Sequence, residues 1–536
     1  MIPGARRALL RRLGLAVLAG GFGALGLSPV GLWPVTLLVL PVLPWLMLAA
    51  ADARQAALLG WGFAAGWFLA GLHWIVEPFL VAPEVHGWMA PFALVFMAGG
   101  LALFWGLGFG LAHRIGRSAA ARVWLLLPLL GLAELARAYL LTGFPWAGLA
   151  QIWVDSDAAL LLAWIGPHGL GVATLLAALP PGLAMARRAR PRAAALALVP
   201  ALALLGAVLL VARLAGPEPS ARPGQALGLG PGLGPGQVSG SSSGRAGQTG
   251  PGGRVVRLVQ PNAPQHLKWH PRHMPVFFRR ALELTAGGAR PDLVVWPETS
   301  VPLFLDEAGL ALREMAEAAR GAPLVAGIRR AEGGRVYNSL ITVGAEGRVG
   351  QIYDKHHLVP FGEYIPLGDL AARFGIYGLA AGMGNGFSAG PGPVLLDLGP
   401  LGRALPLICY EAVFPQDVGA APARPDFLLQ ITNDAWFGQF SGPWQHLAQA
   451  QMRAIEQGLP MLRAANTGIS AAIDPWGRVQ AMIPLGQAGR IDVALPEPLP
   501  PTIYARLGDA PVFVLLLLAL MGLVWAQSRP LRRIFV

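Results

Sequence analysis

Three short segments of this 536-residue chain each end an apolar run with a side chain able to do covalent chemistry. Residues 294–298 (VVWPE) stop at Glu298, residues 353–355 (YDK) stop at Lys355, and residues 407–411 (LICYE) contain Cys409. A thiol attacks a carbonyl carbon as its thiolate, so it needs a base and a nearby positive charge. Glu298 is suited to take the thiol proton, and Lys355 to stabilise the thiolate and then an oxyanion. We therefore expect these three residues to form a nucleophilic site.

Each of the three residues also has an ordinary interpretation when it is taken singly. A glutamate at a strand end is commonly a solvated carboxylate, a lysine is commonly a surface charge, and Cys409 after two apolar residues could be core. Cys409 is the only cysteine, so no intramolecular disulfide forms. The chain has only two lysines, Lys268 and Lys355, against 39 arginines. This composition favours arginine wherever a positive charge is enough. Each lysine is therefore retained either because an amine is needed there or by chance.

The elements that would position these residues lie in a region with the composition of a globular α/β domain, residues 254–500. Short apolar runs bounded by turn residues predict buried strands. Amphipathic stretches between them, at 310–320 and 445–457, predict helices. The predicted strands occupy residues 255–259, 293–296, 324–328, 405–409 and 427–431.

The rest of the chain predicts a membrane bundle. Apolar residues make up 54% of the sequence and charged residues only 13%, about half the share of a soluble protein. Two spans are expected within residues 13–51, which carry no charge and are divided near Ser28-Pro29. Six more are expected at about 56–76, 88–112, 123–141, 158–185, 194–212 and 510–527, giving eight.

The arginines between the spans predict the orientation of the chain. Every basic loop falls on one side of an eight-span bundle, whereas the other short loops carry Glu77, Glu84, Asp155 and Asp157. Both termini are therefore expected in the cytoplasm and residues 254–500 outside it. The net charge of +12 follows from these loops, so we expect no nucleic-acid partner. The clusters comprise Arg6, Arg7, Arg11, Arg12, Arg54, Arg114, Arg117, Arg122, Arg187, Arg188, Arg190, Arg192, Arg529, Arg532 and Arg533.

These features predict four regions. Residues 1–215 form a bundle of seven spans, and residues 216–253, rich in Gly, Pro and Ser, form a flexible linker. Residues 254–500 form the catalytic domain, and residues 501–536 form the eighth span with a cytoplasmic C-terminus. Residues 365–387 are apolar and glycine-rich, and we leave open a buried loop or a mobile arm hinged at Gly375, Gly378, Gly382 and Gly384. Glu134 and Arg137, one turn apart inside a span, predict a structural ion pair.

The three segments, in this order, resemble the catalytic signatures of the nitrilase superfamily. Their particular residues are similar to those of the apolipoprotein N-acyltransferase family. The likeness includes residues 360–364 (PFGEY), 433–438 (NDAWFG) and, in the membrane region, 142–146 (TGFPW). It covers nearly the whole chain apart from the linker. The resemblance implies an αββα sandwich on the extracytoplasmic side of a bacterial inner membrane, carried by about eight transmembrane helices.

The resemblance also implies a ping-pong transfer of a fatty acyl chain. Cys409 would take the chain from the sn-1 ester of a membrane phospholipid and pass it to the α-amine of an S-diacylglyceryl cysteine on an apolipoprotein. Glu298 would act as base and then acid, Lys355 would stabilise the oxyanion, and Glu363 would orient Lys355. Substrate contacts are expected from Trp269, Trp436, Tyr410 and Glu411. No cofactor, metal ion or oligomer is implied.

Two alternatives remain at the level of the sequence. A membrane-anchored amidase of the nitrilase type would share Glu298, Lys355 and Cys409 but pass the acyl group to water. A non-catalytic transporter or scaffold would carry a degenerate domain. An anchor needs only one span, and all three catalytic positions are filled, so the transferase is the function we predict.

Overall fold

The computed structural model describes residues 3–214, 253–365 and 386–528. The predicted linker except Gly253, most of the predicted arm with its four glycines, and the basic cluster at Arg529, Arg532 and Arg533 lie outside the described residues. The chain divides into two compact units, one made of Met1–Pro217 with Thr502–Val536 and the other of Glu218–Pro501.

The first unit is entirely helical in its described residues. Its longest α-helices are rich in Leu, Ala and Gly and have apolar surfaces on all sides, as expected of helices in lipid. The α-helices of this unit are Pro3–Gly23, Trp33–Val39, Val42–Ala49, Ala53–Gly71, Pro83–His86, Ala90–Ile115, Ala119–Tyr139, Leu162–Ala186, Pro191–Ala197, Val199–Leu214, Ile503–Leu507 and Ala510–Ser528.

Six helical segments among the described residues are long and apolar enough to cross a membrane, and a bent pair, Ala53–Gly71 with His73–Leu80, makes seven. The difference from the eight predicted spans lies at Trp33–Ala49, which is shorter. Pro41, which has no backbone N–H to donate, separates this segment into two helices of seven and eight residues. The six segments are Arg6–Gly26, Pro83–Ile115, Ala119–Tyr139, Asp157–Ala186, Pro191–Leu214 and Ala510–Ser528.

The predicted ion pair inside the bundle is confirmed. Arg137 Nη2 lies 2.6 Å from Glu134 Oε2, and the guanidinium also donates to the backbone oxygens of Phe144 and Trp146. Trp105, on the preceding helix, donates to the other carboxylate oxygen of Glu134 at 2.8 Å. Because every one of these groups would be costly in lipid without a partner, the pair braces two helices and the loop that follows them.

In its described residues, the second unit has twelve strands in two six-stranded sheets. The first sheet has the order β12-β1-β2-β3-β4-β5 and the second has the order β11-β10-β9-β8-β7-β6. Strands β1, β2 and β3 run parallel, as do β7, β8 and β9, and the outer strands are antiparallel. The strands are β1 Val255–Gln260, β2 Leu293–Val295, β3 Leu324–Glu332, β4 Arg335–Val343, β5 Val349–Asp354, β6 Leu396–Asp397, β7 Arg403–Ile408, β8 Phe427–Thr432, β9 Met461–Ala465, β10 Ser470–Ile473, β11 Val479–Ile483 and β12 Gly489–Ala494.

Three apolar layers make this unit an αββα sandwich. Side chains from one face of each sheet, such as Val295 and Ile431, form the core between the sheets. The other face of the first sheet packs on the helices Met274–Ala286 and Gly309–Ala318 through residues such as Trp296 and Met315. The other face of the second sheet packs on Gly442–Gln457. Both faces of the central strands are therefore buried, which explains their continuous apolar runs. The remaining α-helices are Gln265–Lys268 and Pro415–Gly419.

Candidate active site

The three residues expected to do chemistry are brought together from the ends of three strands. Glu298 follows β2, Lys355 follows β5 directly, and Cys409 follows β7 directly. Two of these strands belong to the first sheet and β7 belongs to the second, so the cluster joins the two sheets. All three side chains are buried. Since rigid strand ends fix side-chain positions better than long loops do, the arrangement is preorganised for chemistry.

The carboxylates and the ammonium form a hydrogen-bonded cluster. Lys355 Nζ lies 2.8 Å from Glu363 Oε2 and 3.9 Å from Glu298 Oε1. Asn338 Nδ2 donates to Glu298 at 2.6 Å and to Glu363 at 3.1 Å, and the backbone N–H of Val359 donates to Glu363 at 2.8 Å. Asn338 therefore links the two carboxylates, and Glu363 holds Lys355 in place.

The turn that carries Glu298 lies directly against strand β3. A Cβ atom added at Gly327 would come 2.4 Å from the backbone nitrogen of Thr299 and 2.6 Å from the Cα of Glu298. Only glycine fits at this position, because real Cβ contacts are never that short. This close approach fixes the distance of the Glu298 backbone from strand β3 and so the position of its side chain in the cluster.

Cys409 has a backbone conformation that L-residues seldom adopt, with φ at +52°. The left-handed region costs a non-glycine residue roughly 1–2 kcal/mol, so the surrounding contacts must hold it there. The Cys409 carbonyl accepts hydrogen bonds from Gln430 Nε2 at 3.1 Å and lies 3.1 Å from His446 Nε2. This sharp turn at the end of β7 points the carbonyl of Cys409 toward Gln430 on strand β8 of the second sheet.

A buried charged network behind Cys409 holds these partners. Arg463 donates to Gln430 Oε1 and to Asp434 Oδ2, both at 2.5 Å, and Asp434 Oδ1 lies 2.9 Å from His446 Nδ1. Arg463 and His446 keep the pKa of Asp434 well below its usual value although burial alone would raise it. The network thus remains ionised and fixes Gln430 and His446 against the nucleophile turn.

The pKa shifts of the cluster suit base-assisted attack. Burial, together with the charge of Glu298, raises the pKa of the Cys409 thiol, which Lys355 opposes. Burial also raises the pKa of Glu298 and outweighs the opposing charge of Lys355. Burial alone would lower the pKa of Lys355, but Glu363 and Glu298 raise it. The resting site therefore combines a neutral thiol, a permanent ammonium and a carboxylate with increased proton affinity, which is what a general base requires.

Glu411 lies in the interior next to the candidate site. Its side chain is fully buried, and its carboxylate accepts hydrogen bonds from the Tyr353 hydroxyl at 2.7 Å and from the backbone N–H groups of His356 at 2.8 Å and Ile408 at 2.7 Å. Tyr353 and His356 are neighbours of Lys355 in the chain, and Ile408 directly precedes Cys409. Contact of Glu411 with a substrate remains a prediction.

The other predicted substrate contacts differ in their exposure. Tyr410 is buried edge-on against His357 and Phe414. Trp436 is half-buried. Trp269 is also half-buried and lines a small pocket whose other walls include Phe277, Phe278, Met274 and Lys268. Direct contact of these three aromatic residues with a substrate remains a prediction.

Lys268 belongs to the cluster and was not among the predicted site residues. Its ammonium is buried and donates to the backbone oxygen of Glu298 at 3.1 Å and to Thr299 Oγ1 at 2.8 Å. The sequence did contain a signal for it. The chain has only two lysines, and both lie next to Glu298.

Comparison with known proteins identifies the family. The sequence profile described as carbon-nitrogen hydrolase matches residues 256–499, and the profile described as the apolipoprotein N-acyltransferase N-terminal domain matches residues 19–180. An apolipoprotein N-acyltransferase of Rhodopseudomonas palustris is 36% identical over 544 aligned residues, covering 97% of this chain and 96% of its own. That of Bradyrhizobium diazoefficiens is 37% identical, covering 95% and 94%. This chain belongs to the apolipoprotein N-acyltransferase family.

Membership of this family accounts for both units. The N-terminal profile of the apolipoprotein N-acyltransferases covers helices of the first unit, and the chain is a multi-pass membrane protein. Glu298, Lys355 and Cys409 all fall within the carbon-nitrogen hydrolase profile, and the predicted nitrilase-like fold is confirmed. Among solved structures, an amidase of the nitrilase superfamily from Nesterenkonia AN1 is 22% identical, covers 49% of this chain and 97% of its own, and has a TM-score of 0.34.

Proposed function

We propose that this chain transfers a fatty acyl group from the sn-1 ester of a membrane phospholipid to the α-amine of an S-diacylglyceryl cysteine at the start of an apolipoprotein. The observation that carries the proposal is the position of Cys409. It lies in a left-handed turn beside a buried carboxylate and a buried ammonium, in a chain whose other unit is a membrane bundle. The names of its relatives support the same reaction.

In the first half-reaction, Glu298 takes the proton of the Cys409 thiol while the sulfur attacks the ester carbonyl carbon. The negative charge that develops on the carbonyl oxygen is stabilised by the Lys355 ammonium. When the tetrahedral intermediate collapses, the bond to the glycerol oxygen breaks. That oxygen takes the proton back from Glu298, and a lysophospholipid leaves. The acyl chain remains on Cys409 as a thioester.

In the second half-reaction, the neutral α-amine of the acceptor attacks the thioester carbonyl. Glu298 takes a proton from the attacking nitrogen and returns it to the sulfur as the C–S bond breaks. The products are an amide on the lipoprotein and the free thiol. The phospholipid donor and the diacylglyceryl-modified acceptor both reside in a bilayer. This is consistent with a catalytic unit tethered to a membrane bundle.

We further propose that the chain resides in the bacterial inner membrane with the catalytic unit on the extracytoplasmic side. The support comes from the one-sided distribution of arginines between the spans. Orientation rules count basic residues in short loops, and the intervening short loops here carry only acidic charges.

The covalent step provides the test. Purified protein incubated with phospholipid vesicles alone should gain the mass of one acyl chain on Cys409, and hydroxylamine should remove it. A peptide bearing S-diacylglyceryl cysteine with a free amine should discharge the adduct, whereas its N-acetylated form should not, because the attacking lone pair is lost. Cys409→Ser is the matched control and should not load, since Glu298 is too weak a base for an alcohol.

Two outcomes would contradict the proposal. Free fatty acid as the sole product, with or without the acceptor peptide, would identify a membrane hydrolase. Absence of any adduct, with phospholipid binding demonstrated, would identify a non-catalytic protein.

A further inference from the structure

Both lysines of the chain contact the residues that present Glu298, but they do so from different sides. Lys355 reaches the carboxylate side of Glu298, with Glu363 as its closer partner. Lys268, the last residue of the short helix Gln265–Lys268, reaches the backbone side. Its ammonium donates to the carbonyl of Glu298 and to the hydroxyl of Thr299.

These two hydrogen bonds hold a turn whose second residue, Thr299, has a strained backbone. Its φ is +44°, in the left-handed region, which is especially unfavourable for a β-branched residue. The strained residue directly follows Glu298, so any relaxation of the turn would rotate the carboxylate away from its place. Lys268 bonds the atoms on both sides of the Glu298–Thr299 peptide and so opposes that relaxation.

The charges of the cluster give Lys268 a second role. Glu298 and Glu363 are two carboxylates, whereas Lys355 supplies one positive charge. Uncompensated charge in a buried site is costly. The nearest other carboxylate beyond Cys409, Asp434, has its own partner in Arg463. Among the described residues of the cluster, Lys268 is the cation that brings the total to zero while the thiol is neutral.

We propose that Lys268 is a positioning residue of the acyl transfer, which holds the Glu298 turn in its strained conformation and keeps Glu298 ionised to receive the thiol proton. This inference rests on the proposed function. Lys268 exchanges no proton in either half-reaction, and its hydrogen bonds go to the Glu298 turn.

The electrostatics of the site agree with this role. The charged groups that face Glu298 are Lys355, Glu363 and Lys268, and Lys268 lowers the pKa of Glu298 against the stronger effect of burial. Burial lowers the pKa of Lys268 itself to about 8, with Glu298 and Cys409 opposing that shift and Arg329 adding to it. Lys268 is thus mostly charged at neutral pH.

The test follows the initial rate of Cys409 thioester formation from phospholipid, without acceptor, across pH 5 to 9. Lys268→Met keeps an unbranched side chain, shorter by one atom, and removes the charge. Without this charge the pKa of Glu298 rises, so Glu298 becomes protonated at a higher pH. The acidic limb of the rate profile should therefore shift to higher pH by about one unit. The rate at pH 7 should fall roughly tenfold or more.

Two further variants separate charge from geometry. Lys268→Arg keeps the charge but replaces a compact ammonium by a planar fork, so the rate should fall several-fold while the acidic limb stays in place. Arg280→Met removes a cation from the helix Met274–Ala286. Arg280 donates to the carbonyl of Pro261, and this hydrogen bond does not involve the Glu298 turn. The acidic limb of this variant should match that of the wild type.

A Lys268→Met profile with an unmoved acidic limb would overturn the charge role, and Lys268→Arg at the wild-type rate would overturn the positioning role. If Lys268→Met does not fold, Lys268→Arg still decides, because a displaced limb or a full rate in that variant contradicts the proposal. If the wild type forms no thioester, the proposed function fails instead, independently of Lys268.

Discussion

Lys355 donates to Glu363 at 2.8 Å, whereas its ammonium is 3.9 Å from the carboxylate of Glu298. The closer pair fixes the lysine, and the longer separation leaves Glu298 in a weaker ion pair with the same ammonium. A base that was tightly bonded to Lys355 would have a depressed proton affinity. The unequal distances support the proposed division of tasks, in which Glu363 orients the cation and Glu298 exchanges the proton.

We predict that Lys355→Arg loses most of its activity although the charge is kept. A planar guanidinium cannot occupy the site of a buried ammonium without displacing Glu363 or the reacting groups. Loss of a comparable oxyanion donor costs roughly 100- to 1000-fold in rate. The measurement is the rate of thioester formation on Cys409. Activity within a few-fold of the wild type would mean that Lys355 contributes only a diffuse charge.

We predict that Cys409→Gly is more stable than Cys409→Ala by about 1 kcal/mol, because only alanine has a Cβ to strain at a φ of +52°. Neither variant has a thiol, so the pair isolates the backbone strain. The free energy of unfolding of each variant in detergent provides the comparison. Ala412→Gly, three residues further along, is the control and should be destabilising. Equal stability of the two Cys409 variants would show that the turn is unstrained.

We predict that Gly327→Ala slows acyl loading on the order of 100-fold while the membrane unit remains folded. The added Cβ would meet the backbone of Glu298 and Thr299 at 2.4 to 2.6 Å, so the turn must move. A displacement of about 1 Å at a reacting group costs on the order of 100-fold in rate. Gly309→Ala is a matched control, since a Cβ there meets nothing within 4 Å. Loading by Gly327→Ala at the rate of Gly309→Ala would contradict the proposed role of this contact.

We predict that reporters fused at Val536 and within residues 216–253 report opposite sides of the membrane. The arginine clusters predict a cytoplasmic C-terminus and an extracytoplasmic linker. A third fusion after Arg188 should agree with Val536. Signals from one side at both of the first two positions would exclude an odd number of spans between them and with it the proposed orientation.

Much of this protein could be predicted from local sequence because the relevant physical signals are local. A span requires a long apolar run, and a strand buried on both faces requires a short one, so the helices and the main strands could be located before the structure was known. Glu298 and Cys409 stood out because each ends such a strand. The sequence also distinguished Lys268 and Lys355 from the 39 arginines, although it did not say what Lys268 contacts.

The tertiary structure decided what depends on distant partners. Cysteine has no preference for a positive φ, and Cys409 acquires it from contacts with Gln430 and His446, 21 and 37 residues away. Glu411 lies two residues after the nucleophile, and its carboxylate accepts hydrogen bonds from Tyr353 and the backbone of His356, more than 50 residues earlier. Periodicity reports whether a side chain is buried. It does not report which sheet a strand joins or which buried donor a carboxylate meets, because packing between the two sheets determines those contacts.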